Sequence, residues 1–264
     1  MDFIIKQEDN FKYIERGDAN NKEPLVLLHG LMGGLSNFTD VIEHFSKSYR
    51  VIFPMLPIYD APLSETSLDG MLKYLSDFVA HKKLNKMHLL GNSLGGHIGL
   101  MFTLKYQEKI SSLTLTGSSG LYENAMGNSF PKRGDISFIR NKALETFYDP
   151  AMVTTELVDE LYATINDRNK ALHIVMMSKS AVRNNLRDEL YKIYVPTLLI
   201  WGKQDPITPP FVAEQFNQLI KSSKLVWIDK CCHAPMMEHT QTFNSTLEDF
   251  LNEITATYSF STHV

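Results

Sequence analysis

Cysteine is nearly missing from this chain of 264 residues, which holds two, Cys231 and Cys232, side by side. Two adjacent thiols cannot staple distant segments, and a structural zinc site needs four ligands. They read as a reduced pair in an intracellular protein. Long apolar runs are missing too. Nothing approaches the roughly eighteen residues that a membrane-spanning helix requires. The stretch from Met1 to Asp9 has no basic region followed by an apolar one, so a soluble cytoplasmic protein without a secretory leader is expected. An excess of positive charge is also absent. Lys and Arg number 26 against 30 Asp and Glu, a net charge of −4. That argues against a general nucleic-acid binder, which needs a basic face, and no basic run or zinc-finger pattern occurs. Neither nucleic acid nor a membrane is expected as a partner. The oligomeric state cannot be read from the sequence.

What is present is ordinary for a globular enzyme: 44% hydrophobic and 21% charged residues. By length alone the chain holds between one and two domains. Short runs that are almost wholly apolar recur along it. Pro24 to Leu28, Arg50 to Pro54, Met87 to Gly91, Leu113 to Thr116, Thr197 to Trp201 and Leu225 to Ile228 read as strands buried on both faces. Phe3 to Lys6 and Phe11 to Glu15 read as two further short strands. Helical patterns lie between the later runs, over Leu68 to Ala80, Leu94 to Tyr106, Phe211 to Ile220 and Thr242 to Ile254. This alternation predicts an α/β fold with a mostly parallel sheet. One section breaks it. From Leu121 to Leu190 no strand is apparent, and Ser137 to Tyr148, Thr154 to Ile165 and Asn169 to Ser180 read as helices. The expected organisation is a core of residues 1–120 and 191–264 interrupted by a helical insertion, 121–190.

The strongest chemical signal is Gly91-Asn92-Ser93-Leu94-Gly95-Gly96, which follows a strand and opens a helix. A Gly-x-Ser-x-Gly pattern in that setting makes a tight turn that lifts the serine hydroxyl clear of the sheet. A serine needs a base, and the base needs an orienting acid. Of nine histidines, His233 lies in a loop just past the last strand, where sites of open α/β sheets form. Asp205, in Gly202-Lys203-Gln204-Asp205-Pro206, also follows a strand. Asp229 is the alternative acid. The order Ser93, Asp205, His233 is that expected when the three act together on this kind of sheet. The glycine-rich stretch His29-Gly30-Leu31-Met32-Gly33-Gly34 comes straight after Leu28. Its backbone, through Leu31 or else Met32, together with the N–H of Leu94, would bind a developing oxyanion. His29 reads as a brace for that loop.

His29-Gly30, the serine turn, Gly202 to Pro206 and His233-Ala234-Pro235 together resemble the α/β-hydrolase superfamily over nearly the whole chain. The resemblance implies an eight-stranded, mostly parallel sheet flanked by helices, with a helical cap inserted after the sixth strand. Gly117 to Glu123 and Phe147 to Val158 are similar to the carbon–carbon bond hydrolases of meta-cleavage pathways. That group carries an arginine in the cap helix where this chain reads Asp159-Glu160-Leu161-Tyr162. Replacing it removes a clamp for a substrate carboxylate.

Met32, Ser118, Tyr122, Phe147, Tyr162 and Met236 are candidates for an apolar pocket, with Phe130 among the further aromatic residues of the insertion. The expected activity is serine hydrolysis of a small carboxylic ester or related acyl substrate, with no metal and no organic cofactor. Carbon–carbon bond hydrolysis, thioester cleavage, acyl transfer and perhydrolysis would use the same residues. A ligand-binding protein on a hydrolase scaffold is the alternative from another class.

Overall fold

The computed structural model describes residues 3–18, 23–123 and 133–261. Phe130 lies outside them. The described residues form one eight-stranded sheet in the order β1-β2-β4-β3-β5-β6-β7-β8. The strands are β1 (Lys6–Glu8), β2 (Phe11–Arg16), β3 (Leu25–Leu28), β4 (Val51–Pro54), β5 (Met87–Asn92), β6 (Ile110–Thr116), β7 (Thr197–Gly202) and β8 (Ser223–Ile228). From β4 to β8 the neighbours are parallel, while β2 pairs antiparallel with both β1 and β4. The sheet is therefore mixed, with a parallel centre.

The central strands β3, β4, β5, β6 and β7 are buried at every residue. Successive side chains feed opposite faces, as strand geometry requires. Val26, Leu28, Leu89, Leu113, Leu199 and Trp201 enter one apolar cluster. Leu25, Leu27, Leu90, Leu198 and Ile200 enter the other. Helices cover both faces. The first cluster takes residues from α2 (Leu68–His81), α3 (Leu94–Lys105) and α7 (Pro210–Leu219), numbered in chain order among the nine named here. The second takes residues from α1 (Thr39–Phe45) and α9 (Thr240–Ser261), the latter following the single turn α8 (Pro235–Glu238).

Between β6 and β7 lie α4 (Ile136–Leu144), α5 (Thr155–Asn166) and α6 (Arg168–Arg183). Their starts are marked by Asp135, Thr154 and Asp167, each accepting from a first-turn N–H, as N-cap residues do. The segment straddles the sheet. Ala143 and Val158 pack in one cluster, and Met177 and Ala181 in the other.

Several elements differ from expectation, among them the turn α8, which has no counterpart in it. The first strand is Lys6–Glu8 rather than Phe3 to Lys6. It is an edge strand exposed along its length, so no burial fixes its position; pairing of Lys6 with Tyr13 does. Helix α1 had no counterpart in the sequence reading, because its seven residues are too few to display a period. Helix α4 stops at Leu144 instead of reaching Tyr148. The backbone beyond it is engaged elsewhere: the Thr146 carbonyl accepts from His233 N–H at 3.0 Å, and Tyr148 N–H donates to Glu238 at 2.5 Å.

Candidate active site

Four loops meet at the carboxyl ends of parallel strands: residues after β3, after β5, after β7 and after β8. Ser93 joins β5 to α3 with φ 54° and ψ −120°. A side chain in the left-handed region is strained, and such strain persists only where the surroundings enforce it. Here they do. Ser93 N–H donates to the Thr116 carbonyl on β6, and the Ser93 carbonyl accepts from the amide of Ser119 and from His97 of α3. The flanking glycines are obligatory. A Cβ on Gly91 would lie 2.5 Å from the Gly95 carbonyl oxygen, and one on Gly95 would lie 2.2 Å from that of Leu28.

Asp205 and His233 are brought into direct contact. His233 Nδ1 lies 2.9 Å from Asp205 Oδ2. Both residues are buried. The carboxylate is satisfied on both oxygens: Oδ1 accepts from the amides of Ile207 and Thr208 at 2.8 and 3.0 Å, and Oδ2 also accepts from the Thr208 hydroxyl at 2.8 Å. Burial alone would raise its pKa, but the His233 charge and these hydrogen bonds outweigh burial and hold it below the usual carboxylate range. An ionised carboxylate only accepts, so His233 Nδ1 is the donor in this bond.

The other acid considered, Asp229, is exposed and accepts from Gln204 at 3.1 Å. It does not share the His233 ring contact. Asn92 Nδ2, beside Ser93, reaches the His233 carbonyl at 3.4 Å, tying the serine turn to the histidine loop. Gly117, with φ +50°, leaves room for the imidazole, since a Cβ there would stand 2.8 Å from His233 Nδ1.

His29 braces the loop after β3. Its Nδ1 lies 2.9 Å from the Gly30 carbonyl and its Nε2 accepts from Leu56 N–H at 3.2 Å. Burial lowers its pKa, which keeps the ring neutral for those paired roles. The Tyr59 hydroxyl donates to the Leu31 carbonyl at 2.9 Å and fixes the next peptide. Gly30 sits against the serine, a Cβ there meeting Ser93 Cβ at 3.2 Å. Leu94, as the first residue of α3, has an N–H with no intrahelical acceptor.

The six pocket candidates separate. Met32 is exposed, and Tyr122 is half-buried with its ring edge-on to Phe211 at 5.3 Å. Tyr162 is half-buried on α5. Ser118 has no exposed surface, and its hydroxyl donates to the Ser119 carbonyl. Phe147 and Met236 are buried in the apolar cluster beneath α4 and α9. These last three are packed within the walls. Thr208 and Gln204 hold the Asp205 and His233 loops together, and Glu238 ties the His233 loop to Tyr148. Among the described residues no cluster of His, Cys, Asp and Glu is suited to a metal ion. No helix among them is long and apolar enough to cross a membrane.

Comparison with known proteins agrees with this architecture. Residues 23–141 and 130–240 match the family described as alpha/beta hydrolase fold. An alpha/beta hydrolase enzyme from the metagenome of sediments of the Mar Chica lagoon, Morocco, is similar at 42% sequence identity, covering 95% of this chain and 98% of its own, with a TM-score of 0.77. Monoacylglycerol lipase ABHD6 of Bos taurus is 27% identical, over 96% of this chain and 82% of its own length. The 2-hydroxy-6-oxo-6-(2'-aminophenyl)hexa-2,4-dienoic acid hydrolase of Metapseudomonas resinovorans is 29% identical, over 91% of this chain and 87% of its own.

Proposed function

This chain belongs to the alpha/beta hydrolase fold family, and we propose from that premise that it is a serine hydrolase cleaving a small carboxylic ester or related acyl substrate. The observation that carries the reading is the buried 2.9 Å bond between Asp205 Oδ2 and His233 Nδ1, in a loop tied to the strained turn at Ser93. The likeness to monoacylglycerol lipase supports an ester as the bond attacked.

In this mechanism Ser93 Oγ attacks the substrate carbonyl carbon and its proton passes to His233 Nε2. Asp205 keeps the other proton on Nδ1 and stabilises the imidazolium that forms. The amides of Leu94 and Leu31 bind the oxyanion of the tetrahedral intermediate. As the carbonyl re-forms, the bond to the leaving group breaks and Nε2 returns its proton to the departing oxygen. Water then attacks the acyl-enzyme, again deprotonated by Nε2, and releases the acid and Ser93. No step calls for a metal or an organic cofactor. Residues 121–190 act as a cap over this chemistry, with 1–120 and 191–264 as the core beneath it. Met32, Tyr122 and Tyr162 are the candidates to touch the acyl group.

The test is Ser93→Ala assayed on short-chain nitrophenyl esters, with covalent labelling by a fluorophosphonate. The wild-type chain is expected to label and turn over. The variant is expected to fold, escape labelling and lose at least about a thousandfold in kcat. Full activity in a folded Ser93→Ala protein would overturn the mechanism. A folded wild-type chain that neither labels nor turns over would favour a ligand-binding role.

A second reading, hydrolysis of a carbon–carbon bond in a ring-fission dienol, is favoured by the likeness to the dienoic acid hydrolase. Asp159-Glu160-Leu161-Tyr162 stands against it, since it supplies no arginine for a substrate carboxylate. Turnover of such a dienol, without turnover of esters, would favour the second reading over the first.

A further inference from the structure

We propose that Glu238 is a positioning residue that clamps the main chain at His233 to the helical segment between β6 and β7; its kinetic consequence rests on the serine-hydrolase reading above. Three successive amides in the histidine loop find acceptors on three different elements. Cys231 N–H donates to Gln204 Oε1 at 3.1 Å, beside Asp205. Cys232 N–H donates to Glu238 Oε1 at 2.8 Å. His233 N–H donates to the Thr146 carbonyl at 3.0 Å. The second oxygen of Glu238 then accepts from Tyr148 N–H at 2.5 Å. One carboxylate thus joins residue 232 to residue 148, on either side of the direct bond between 233 and 146.

The placement of that carboxylate follows from local structure. Helix α8 begins at Pro235, and the amides of Met237 and Glu238 both close on the Ala234 carbonyl, at 2.9 and 3.0 Å. A single rigid turn therefore carries Glu238 back over the loop it follows. Between the bonded carbonyl of Thr146 and the bonded amide of Tyr148, Phe147 is buried in the same apolar cluster as Ala234 and Met236. The two segments are joined by the direct bond between 233 and 146, by the Glu238 bridge with its two bonds, and by shared packing. Two of the three bonds end on one anionic group, and charge-assisted bonds are the stronger kind. Displacement of residues 146–148 is then transmitted to the main chain that holds the imidazole against Asp205.

A carboxylate accepts with both oxygens, whereas a glutamine amide accepts with one and presents an NH2 to the second donor. Glu238→Gln therefore keeps the size of the side chain and breaks one end of the clamp, and Glu238→Ala breaks both. The experiment uses the full chain, with hydrogen–deuterium exchange read by mass spectrometry and steady-state kinetics on a nitrophenyl ester. In the Gln variant, exchange is expected to accelerate at least tenfold in both the peptide spanning 146–148 and the peptide spanning 231–233, with α2 and α3 unaffected. Misplacement of a reacting group by a fraction of an ångström to an ångström is expected to lower kcat about ten- to hundredfold, with KM changed less than threefold. Unchanged exchange in either segment, or unchanged kcat in a variant whose exchange has accelerated, would overturn the proposal. If the Ala variant does not fold, the near-isosteric Gln variant decides. If the wild-type chain turns over no ester, the serine-hydrolase reading fails on its own, and the exchange data still decide whether the clamp exists.

Discussion

Replacing Asp205 by Asn exchanges one heavy atom, an oxygen for an NH2, and reverses the hydrogen-bond polarity on one side of the group. Oδ1 of Asp205 accepts from the amides of Ile207 and Thr208. Those two fixed donors demand an oxygen, so the Asn carbonyl takes that side and the NH2 replaces Oδ2. Oδ2 is the atom 2.9 Å from His233 Nδ1 and 2.8 Å from the Thr208 hydroxyl. A donor now faces Nδ1, which must become an acceptor, and the ring proton moves to Nε2. In the proposed mechanism Nε2 is the nitrogen that takes the serine proton, and it would then already carry one. Where this tautomer error has been made in an Asp of a serine triad, kcat falls about ten thousandfold, which is about 5 kcal/mol of transition-state stabilisation. The same order is expected here for ester hydrolysis, with the fold preserved because Asn fits the space. Asp229→Asn is the control. That group is exposed and pairs with Gln204, and its loss should leave kcat/KM within about twofold, as surface changes do. A folded Asp205→Asn enzyme within tenfold of wild type, measured by circular dichroism and kcat/KM together, would refute the reasoning.

Three further outcomes follow from the geometry. Gly117→Ala puts a Cβ 2.8 Å from His233 Nδ1 at a φ of +50°; about 1–2 kcal/mol of stability should be lost, and kcat should fall at least tenfold in the folded fraction, readable by urea unfolding and ester assay. Burial raises the Cys231 thiol above its usual range and the Cys232 thiol to about 11. At pH 8 the thiolate fraction of Cys232 is about 0.1%, so a disulfide reagent should modify the native chain at least a hundredfold more slowly than the urea-unfolded one. Burial also raises Glu123 from 4.5 to about 7. Between those values the native state holds a proton that the unfolded state has released, so this group's contribution falls as pH rises through the interval and is flat above it. The loss is on the order of 3 kcal/mol. Glu123→Gln, which keeps an oxygen for Gly120 N–H, should be more stable than wild type at pH 8 and similar at pH 4; equal differences at both values would show that Glu123 does not titrate in this way.

The sheet was legible where its strands are buried on both faces, because continuous apolar runs such as Leu25–Leu28 and Thr197–Gly202 have few other uses. The edge strand Lys6–Glu8 lacked that constraint and was displaced in the reading. Ser93, Asp205 and His233 could be picked out because each follows a strand directly, and the glycines around Ser93 advertise a tight turn. Their contact could not. The chain order favours Asp205 over Asp229, and the 2.9 Å bond and the exposure of Asp229 add the geometry that the order lacks. Thr146, Thr208 and Glu238 left no signal, since a hydrogen bond between residues 148 and 238 has no period and no motif. The apolar candidates were only half sorted. Composition cannot separate Phe147 and Met236, sealed in a cluster, from Met32, which is open to solvent.

The order of the strands has a consequence for how the molecule comes into being. Ser93 follows β5, while Asp205 and His233 follow β7 and β8, which pair in sequence beyond β6. The segment from β3 to β6 can be synthesised and can pair within itself, strained turn included, long before His233 leaves the ribosome. Such late, non-local pairings are slow relative to local ones. The turn at Ser93 is therefore present on a partly built sheet before the strands that precede Asp205 and His233 have docked. On the serine-hydrolase reading proposed above, a nascent chain stopped short of β8 is expected to turn over no ester, because His233 follows that strand.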